Sequence, residues 1–309
     1  MRERDLIARL LAPLATAPAA RGLADDAAVF APPLGRELVL THDVLAAGVH
    51  YLPGDPPSDV AWKLLAVNLS DLAAMGARPA GVLLGLGMSA AEDAAWLTAF
   101  AAGLARGLER WNVALWGGDT VSGLAAAVLG LTAVGTVEPG TALSRAGAKP
   151  GDGLWVSGPI GDAGLGLAVA RGEAPFDKAL LARFRRPEPQ LALGQALVGR
   201  ATAAMDVSDG LLIDAGRLAA ASGVAVTVEL GRVPVSPAAA ARVAAGDAGR
   251  LALATAGDDY ALLFTLPDGI EPPAGCTRVG AVAAGAGLTV VGTNGAVIVP
   301  ERLGWEHQL

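Results

Sequence analysis

Five acidic clusters stand at the ends of apolar or Gly-rich segments of this chain: Asp25-Asp26, Asp43, Asp71, Asp119 and Asp206-Val207-Ser208-Asp209. A carboxylate near a core is tolerated only where a cation or several hydrogen bonds hold it. Brought together, such groups repel one another until a cation arrives. Hard dications with oxygen ligands, Mg²⁺ first, are what an aspartate cluster recruits, and Mg²⁺ commonly comes with phosphates. The residue types therefore point to Mg-nucleotide chemistry.

The elements that must position these groups are legible in outline. Residues 37–40 read as a short strand whose end delivers Thr41-His42-Asp43, and a Pro-rich loop follows. Ser58 is a suitable N-cap for a helix that runs to Met75 and stops at Gly76. On it Val60, Leu64, Val67, Asn68, Asp71 and Met75 recur every three or four residues, so two polar groups interrupt an apolar stripe. That placement costs stability unless a ligand offsets it. Residues 80–88 read as a strand, 90–110 as an amphipathic helix, 113–116 as a strand ending in Gly117-Gly118-Asp119-Thr120, and 125–137 as one or two strands. The Gly-, Pro- and Lys/Arg-dense stretch 138–153 marks a boundary between domains 1–138 and 139–309.

Beyond it, the expected order is a strand at 154–157, a glycine turn at 158–161, and a helix to Arg171. A polar stretch with Arg183, Arg185 and Arg186 and a helix at 191–198 come next. A strand at 205–207 then turns through Ser208-Asp209-Gly210 into a helix ending at Gly223, and a strand occupies 224–230. Gly257-Asp258-Asp259-Tyr260 turns into a strand at 261–266, and Asn294-Gly295 marks a hairpin.

Each motif taken alone has an ordinary explanation. Asp25-Asp26 suits an exposed turn, Gly117-Gly118-Asp119-Thr120 a strand-to-loop turn, and Ser208 with Asp209 a helix cap. Capping does not explain Asp71 in mid-helix. Familiar phosphate motifs are missing from the sequence: there is no Walker string, the Gly158 turn has the wrong spacing for a dinucleotide fingerprint, and protein-kinase strings are absent. Phosphates would have to be held through metals and glycine turns.

Composition sets the outer limits. A chain of 309 residues can build two domains with real cores, and 53% hydrophobic residues with only 4% aromatics and 41 glycines suggest close-packed α/β layers. A net charge of −7 argues against nucleic acid or an anionic membrane as partner. The single Cys276 excludes an intrachain disulfide and a cysteine-rich zinc site, and fits a reducing, cytoplasmic setting. The longest uncharged run, 120–137, is Gly-interrupted and short of the ~20 residues of a membrane span. Residues 6–20 have some look of a secretory signal, but Asp5 and Arg9 interrupt them and Leu6, Ile7, Leu10, Leu11 and Leu14 have helical spacing, so a helix is expected.

Longer strings carry a resemblance: Asp25-Asp26-Ala27-Ala28-Val29, Thr41-His42-Asp43, Gly48-Val49-His50-Tyr51, the helix from Lys63 through Asn68-Leu69-Ser70-Asp71 to Ala77, and Gly117-Gly118-Asp119-Thr120. Further on come the stretch from Ser144-Arg145 to Asp152, Asp206-Val207-Ser208-Asp209-Gly210-Leu211, Gly257-Asp258-Asp259-Tyr260, and Gly304-Trp305-Glu306-His307. Almost end to end, the chain resembles the thiamine-monophosphate kinase family of the aminoimidazole ribonucleotide synthetase superfamily. The resemblance implies an α/β protein of two domains, each a mixed sheet covered by helices, with the active cleft between them and the N-terminal domains paired in a homodimer. It implies transfer of the ATP γ-phosphoryl group to the phosphate of thiamine monophosphate, with several Mg²⁺ ions and no protein nucleophile, since the acceptor is an ionised phosphate oxygen. Carried over by position, Asp26, Thr41, Asp43, Asp71, Asp119, Asp206 and Asp209 would form the Mg²⁺ shell. Gly118, Arg145 and Ser208 would contact the nucleotide, and His50, Asp258 and Trp305 the substrate, with Trp305 placed to stack on a cationic ring.

The family pattern is not met everywhere. Its first motif usually opens with Gly where Ala24 stands, its second has Ser or Thr where His42 stands, and its late Gly-Glu-Asp-Tyr-Glu string reads Gly257-Asp258-Asp259-Tyr260-Ala261 here. These departures bear on substrate geometry more than on metal binding. The alternatives they leave are another ATP-using enzyme of the superfamily, such as the purine-pathway or selenophosphate synthetase, and a nucleotide-binding sensor without turnover. A reactive N-terminal Cys is expected of the selenophosphate type, and a C-terminal Cys of a hydrogenase-maturation relative. Neither is present in this sequence.

Overall fold

The computed structural model describes residues 1–306, so His307 of the terminal string lies outside the described residues. The chain forms two compact units, residues 1–72 with 77–140, and residues 73–76 with 141–309. Each is a mixed sheet with helices.

The first unit opens with the short helix α1 (Glu3–Leu6) and irregular helical turns that bury Leu6, Leu11, Ala15 and Ala20. Its sheet is built from β1 (Glu37–Ala46), β2 (Arg78–Met88), β3 (Ala114–Ser122) and β4 (Val128–Val137), in the order β1-β4-β2-β3. β2 and β3 run parallel, the other neighbours antiparallel. Helix α2 (Pro57–Ala74) leans on one face, and α3 (Ala94–Trp111), capped by the Asp93 carboxylate, crosses over between β2 and β3. Two glycines of α3 let the helices touch. A Cβ on Gly103 would sit 2.2 Å from the Ser58 carbonyl oxygen, and one on Gly107 would press on Leu65.

Two expectations are corrected here. β1 does not stop at residue 40, so Thr41, His42 and Asp43 lie inside the ladder opposite Ala133, Thr132 and Leu131. Likewise β3 continues through Gly117-Gly118-Asp119-Thr120, and Gly118 is a ladder position, not a turn. The physical reason for glycine is close approach, because a Cβ there would meet the Leu84 carbonyl oxygen at 1.9 Å.

The second unit is a seven-stranded sheet, built from β5 (Gly153–Val156), β6 (Ala203–Val207), β7 (Ala225–Glu229), β8 (Ala261–Leu266), β9 (Thr277–Ala283), β10 (Gly287–Val291) and β11 (Val297–Ile298). The order is β11-β10-β7-β9-β5-β8-β6, with only β7 and β10 parallel. β6 and β8 are buried along their whole length, because successive side chains enter two different cores. Met205, Val207 and Leu263 join a cluster with Leu211, Leu212 and Leu218, whereas Ala204, Leu262 and Phe264 join one with Leu143 and Leu197. The helices are α4 (Asp162–Ala170), α5 (Lys178–Arg185), α6 (Leu191–Leu197), α7 (Leu211–Ser222), α8 (Pro237–Ala240) and α9 (Asp247–Ala254). The polar stretch that carries Arg183 and Arg185 is helical, as α5, with Leu180 and Phe184 buried. No helix among the described residues is long and apolar enough to cross a membrane.

Candidate active site

In the first unit, alternation along β1 decides where each side chain goes. Thr41 and Asp43 are half-buried toward α2, whereas Leu40, His42 and Val44 are exposed on the outer face. The Thr41 hydroxyl donates to the Asp71 carboxylate, and the Asp43 amide donates to the Asn68 carboxamide oxygen at 2.9 Å. Asn68 is fully buried, and its own amide donates to the Leu64 carbonyl at 2.9 Å. The two polar interruptions of the α2 stripe thus meet the Thr41 side chain and the Asp43 backbone of β1, which explains how the core accepts them.

Asp119 sits in the register row of Gly85, Gly130 and Val44, one row from Asp43, and adjacent rows put side chains on opposite faces. It lines an outer-face cavity of about 580 Å³ together with Glu3, Asp26, His42, Trp116 and Gly118. Glu3 accepts from the Thr120 hydroxyl at 2.8 Å, and the His42 Nδ1 lies 2.8 Å from the Thr132 hydroxyl. Asp26 is exposed, while its neighbour Asp25 pairs with Arg21. The structure therefore gathers Asp26, Gly118 and Asp119 at one place and Thr41, Asp43 and Asp71 at another. His50 lies in the turn after β1, its Nδ1 accepting from the Ala46 amide at 3.1 Å and its carbonyl accepting from the buried Lys63 at 3.0 Å.

In the second unit the segments carrying Asp206, Ser208, Asp209, Asp258 and Trp305 converge through backbone hydrogen bonds. The Asp258 amide donates to the Ser208 carbonyl at 2.7 Å, the Tyr260 amide to the Val207 carbonyl at 2.8 Å, and the Trp305 amide to the Asp209 carbonyl at 2.9 Å. Gly257 has φ +83°, and a Cβ there would lie 2.9 Å from the Ser208 oxygen, so glycine alone fits this approach. Asp258 and Tyr260 also hold positive φ, +63° and +50°, a cost that surrounding contacts must impose. Asp206 is buried at 4% exposure, and Trp305 is half-exposed at 54%. The Arg145 carbonyl accepts from the Ser222 hydroxyl at the end of α7 at 3.0 Å, and its neighbour Ser144 accepts from the Ala204 amide of β6 at 2.7 Å.

The AIR synthase related protein, N-terminal domain family matches residues 24–137, and the corresponding C-terminal domain family matches residues 149–292. A thiamine-monophosphate kinase of Caulobacter vibrioides is 43% identical, over 99% of this chain and 90% of its own length. The chain belongs to the thiamine-monophosphate kinase family. The crystal structure of the thiamine-monophosphate kinase from Stenotrophomonas maltophilia is 39% identical with a TM-score of 0.79, covering 87% of this chain and 89% of that one. AaThiL complexed with AMPPCP and TMP is 30% identical with a TM-score of 0.81, covering 100% of this chain and 99% of that one.

Within this thiamine-monophosphate kinase family member, several supporting residues escaped the sequence reading. Asp214 on α7 has a fully buried carboxylate that accepts from the Asp209 amide at 3.1 Å and from Arg217 Nη1 at 2.8 Å, and Arg217 also pairs with Asp209. Burial pushes the Asp214 carboxyl up to about 6 against the opposing pull of Arg217. Asp259, 3% exposed, accepts from the Gly161 and Ala163 amides at 2.8 and 3.5 Å, and burial raises its carboxyl to about 7. An Asp in the first turn of α7 with an Arg three residues on was the only available signal for the first pair, and it reads equally well as a solvated salt bridge. All the expected metal donors are hard oxygens, which suits Mg²⁺ in kind. Among the described residues no three His, Cys, Asp or Glu side chains stand where they would hold a metal ion.

Proposed function

We propose that this chain transfers the γ-phosphoryl group of ATP to the phosphate of thiamine monophosphate, giving thiamine diphosphate and ADP. The observation that carries the reading is the 43% identity to a thiamine-monophosphate kinase over nearly the whole of both chains. The 30% identical structure with AMPPCP and TMP bound supports the pair of substrates. Asp26, Thr41, Asp43, Asp71, Asp119, Asp206 and Asp209 are the donors for Mg²⁺, Gly118, Arg145 and Ser208 contact the nucleotide, and His50, Asp258 and Trp305 contact the thiamine ester. When bound, Mg²⁺ screens phosphate repulsion and stabilises charge on the moving group. The chain's own contribution is positioning: Asn68 holds the Asp43 amide, the Thr41 hydroxyl holds Asp71, and the Ser208 and Asp209 carbonyls hold the backbones of Asp258 and Trp305. Trp305 is exposed enough to stack on a cationic ring.

The domains are residues 1–138, for metal, nucleotide and dimerisation, and residues 139–309. Pairing as a homodimer is supported by the outer face of the first sheet, where Leu38, Leu40, Val44, Leu83, Val121 and Val128 are 37–63% exposed. A cytoplasmic location fits the single, half-buried Cys276 thiol. Measuring ADP release with thiamine monophosphate, with and without Mg²⁺, tests the activity. Product formed only with both present is the expected result. ATP binding without turnover on any thiamine ester would instead favour a sensor.

A further inference from the structure

Asp258 and Tyr260 hold φ of +63° and +50°, a region that L side chains rarely adopt and that is least tolerable for a bulky aromatic. Outliers of this kind persist where surrounding contacts over-determine them, and they gather at working sites. Hydrogen bonds impose the conformation here: the Asp258 amide donates to the Ser208 carbonyl at 2.7 Å, the Tyr260 amide to the Val207 carbonyl at 2.8 Å, and the Asp259 carboxylate accepts from the Gly161 amide at 2.8 Å. The backbone of the turn is thereby fixed, and what remains for Asp258 is the setting of its side chain. Tyr260, itself buried, donates its hydroxyl to Oδ1 of Asp258 at 3.2 Å. An aspartate has one torsion fewer than a glutamate, so one hydrogen bond from a buried ring goes far to fix the plane of its carboxylate.

The Asp258 and Trp305 amides hang on adjacent carbonyls, those of Ser208 and Asp209, and Trp305 is 54% exposed. A carboxylate and an aromatic face are the two groups that attract a cationic ring. We propose that Tyr260 is a positioning residue that aims the Asp258 carboxylate at the cationic ring of thiamine monophosphate, and so sets the affinity for that substrate and not for ATP. It acts through Asp258 and does not itself have to touch the substrate. This rests on the reading of Asp258 as a substrate contact, and the test separates the two.

Tyr260→Phe removes the hydroxyl and keeps the buried ring. In the full chain its KM for thiamine monophosphate is expected to rise roughly tenfold, the scale of one hydrogen bond to a charged group, while kcat and the KM for ATP stay within about twofold. A calorimetric titration of thiamine monophosphate into the same protein is expected to show the same loss of affinity and covers a variant that turns over poorly. In an Asp258→Asn background Tyr260→Phe is expected to add nothing, because the charge it aims is gone. An equal loss in both backgrounds means that the hydroxyl acts apart from Asp258, and it overturns the proposal. So does a rise in both KM values together, or a fall in kcat with the KM for thiamine monophosphate unmoved, since either marks a merely structural role. If Asp258→Asn weakens thiamine monophosphate binding but Tyr260→Phe does not, the proposal falls and the reading of Asp258 stands. If Asp258→Asn binds thiamine monophosphate like the unaltered chain, both fall.

Discussion

Asp71 is the residue whose chemistry the sequence exposes most directly, because a carboxylate inside an apolar helical stripe has no local explanation. The structure supplies its setting: the Thr41 hydroxyl donates to it, and Asn68, nearly one turn earlier, holds the Asp43 amide. An asparagine at 71 keeps the shape and can still accept from Thr41, yet it removes the charge. Asp71→Asn is therefore expected to cut turnover by a factor on the order of 10³ while the thermal midpoint moves by only a few degrees. ADP release and a circular dichroism melt on the same preparation check both halves, and an active variant would remove Asp71 from the metal set. Other site residues were out of reach of sequence reading. Asp258 and Asp259 are adjacent and chemically identical, yet one lies in a strained turn and the other is buried on amides 98 and 96 positions away, at Gly161 and Ala163. Nothing short of the folded chain distinguishes them.

Strand extent was the other weak point, for a related reason. The strings from Thr41 to Asp43 and from Gly117 to Thr120 are polar or glycine-rich and look like turns, but their ladder partners on β4 and β2 keep them extended. The long helices were easier, since α2 and α3 announce themselves by apolar period, although α2 begins at Pro57 and Ser58, expected as its N-cap, lies inside the first turn. Within α3, Gly103 shows how packing overrides propensity. Gly103→Ala improves intrinsic helicity by about 1 kcal/mol, but its methyl would strike backbone at Ser58, so a net loss of about 2 kcal/mol is expected. A lower urea midpoint with an unchanged slope checks it. At α4 the relevant group is Asp259, which faces the Gly161 and Ala163 amides, Asp162 of α4 and Arg183 of α5. Its folded value near 7 lies above the unfolded one near 3.8, so its contribution is fully present below the unfolded value and is lost as pH rises through 7. Asp259→Asn lacks that loss. Its thermal midpoint relative to the unaltered chain is expected to climb between pH 5 and pH 8, and a difference that stays flat would refute the assignment.

The first sheet presents two unlike faces, and the exposed one is the surface on which the proposed pairing rests. β1 is an edge strand whose residues Leu38, Leu40 and Val44 alternate outward at 44%, 63% and 40% exposure, and the rows beside them carry Leu83, Val121 and Val128. Gly85, Gly87 and Gly130 stand in the ladder between those residues and add no side chains of their own. An exposed apolar face of this kind is unfavourable in water and suits a self-complementary two-fold contact, in which a residue on one copy meets its counterpart region on the other. The chain's net charge of −7 opposes chance association, so a dimer, if formed, must be held by specific apolar burial. Leu40→Glu combined with Val44→Glu puts two charges of the same sign on each copy at that surface and should leave the inner core untouched. Light scattering after size exclusion is expected to give twice the chain mass for the unaltered protein and the single mass for the double variant. A monomeric unaltered protein, or a variant that still pairs, would show that this face does not mediate assembly.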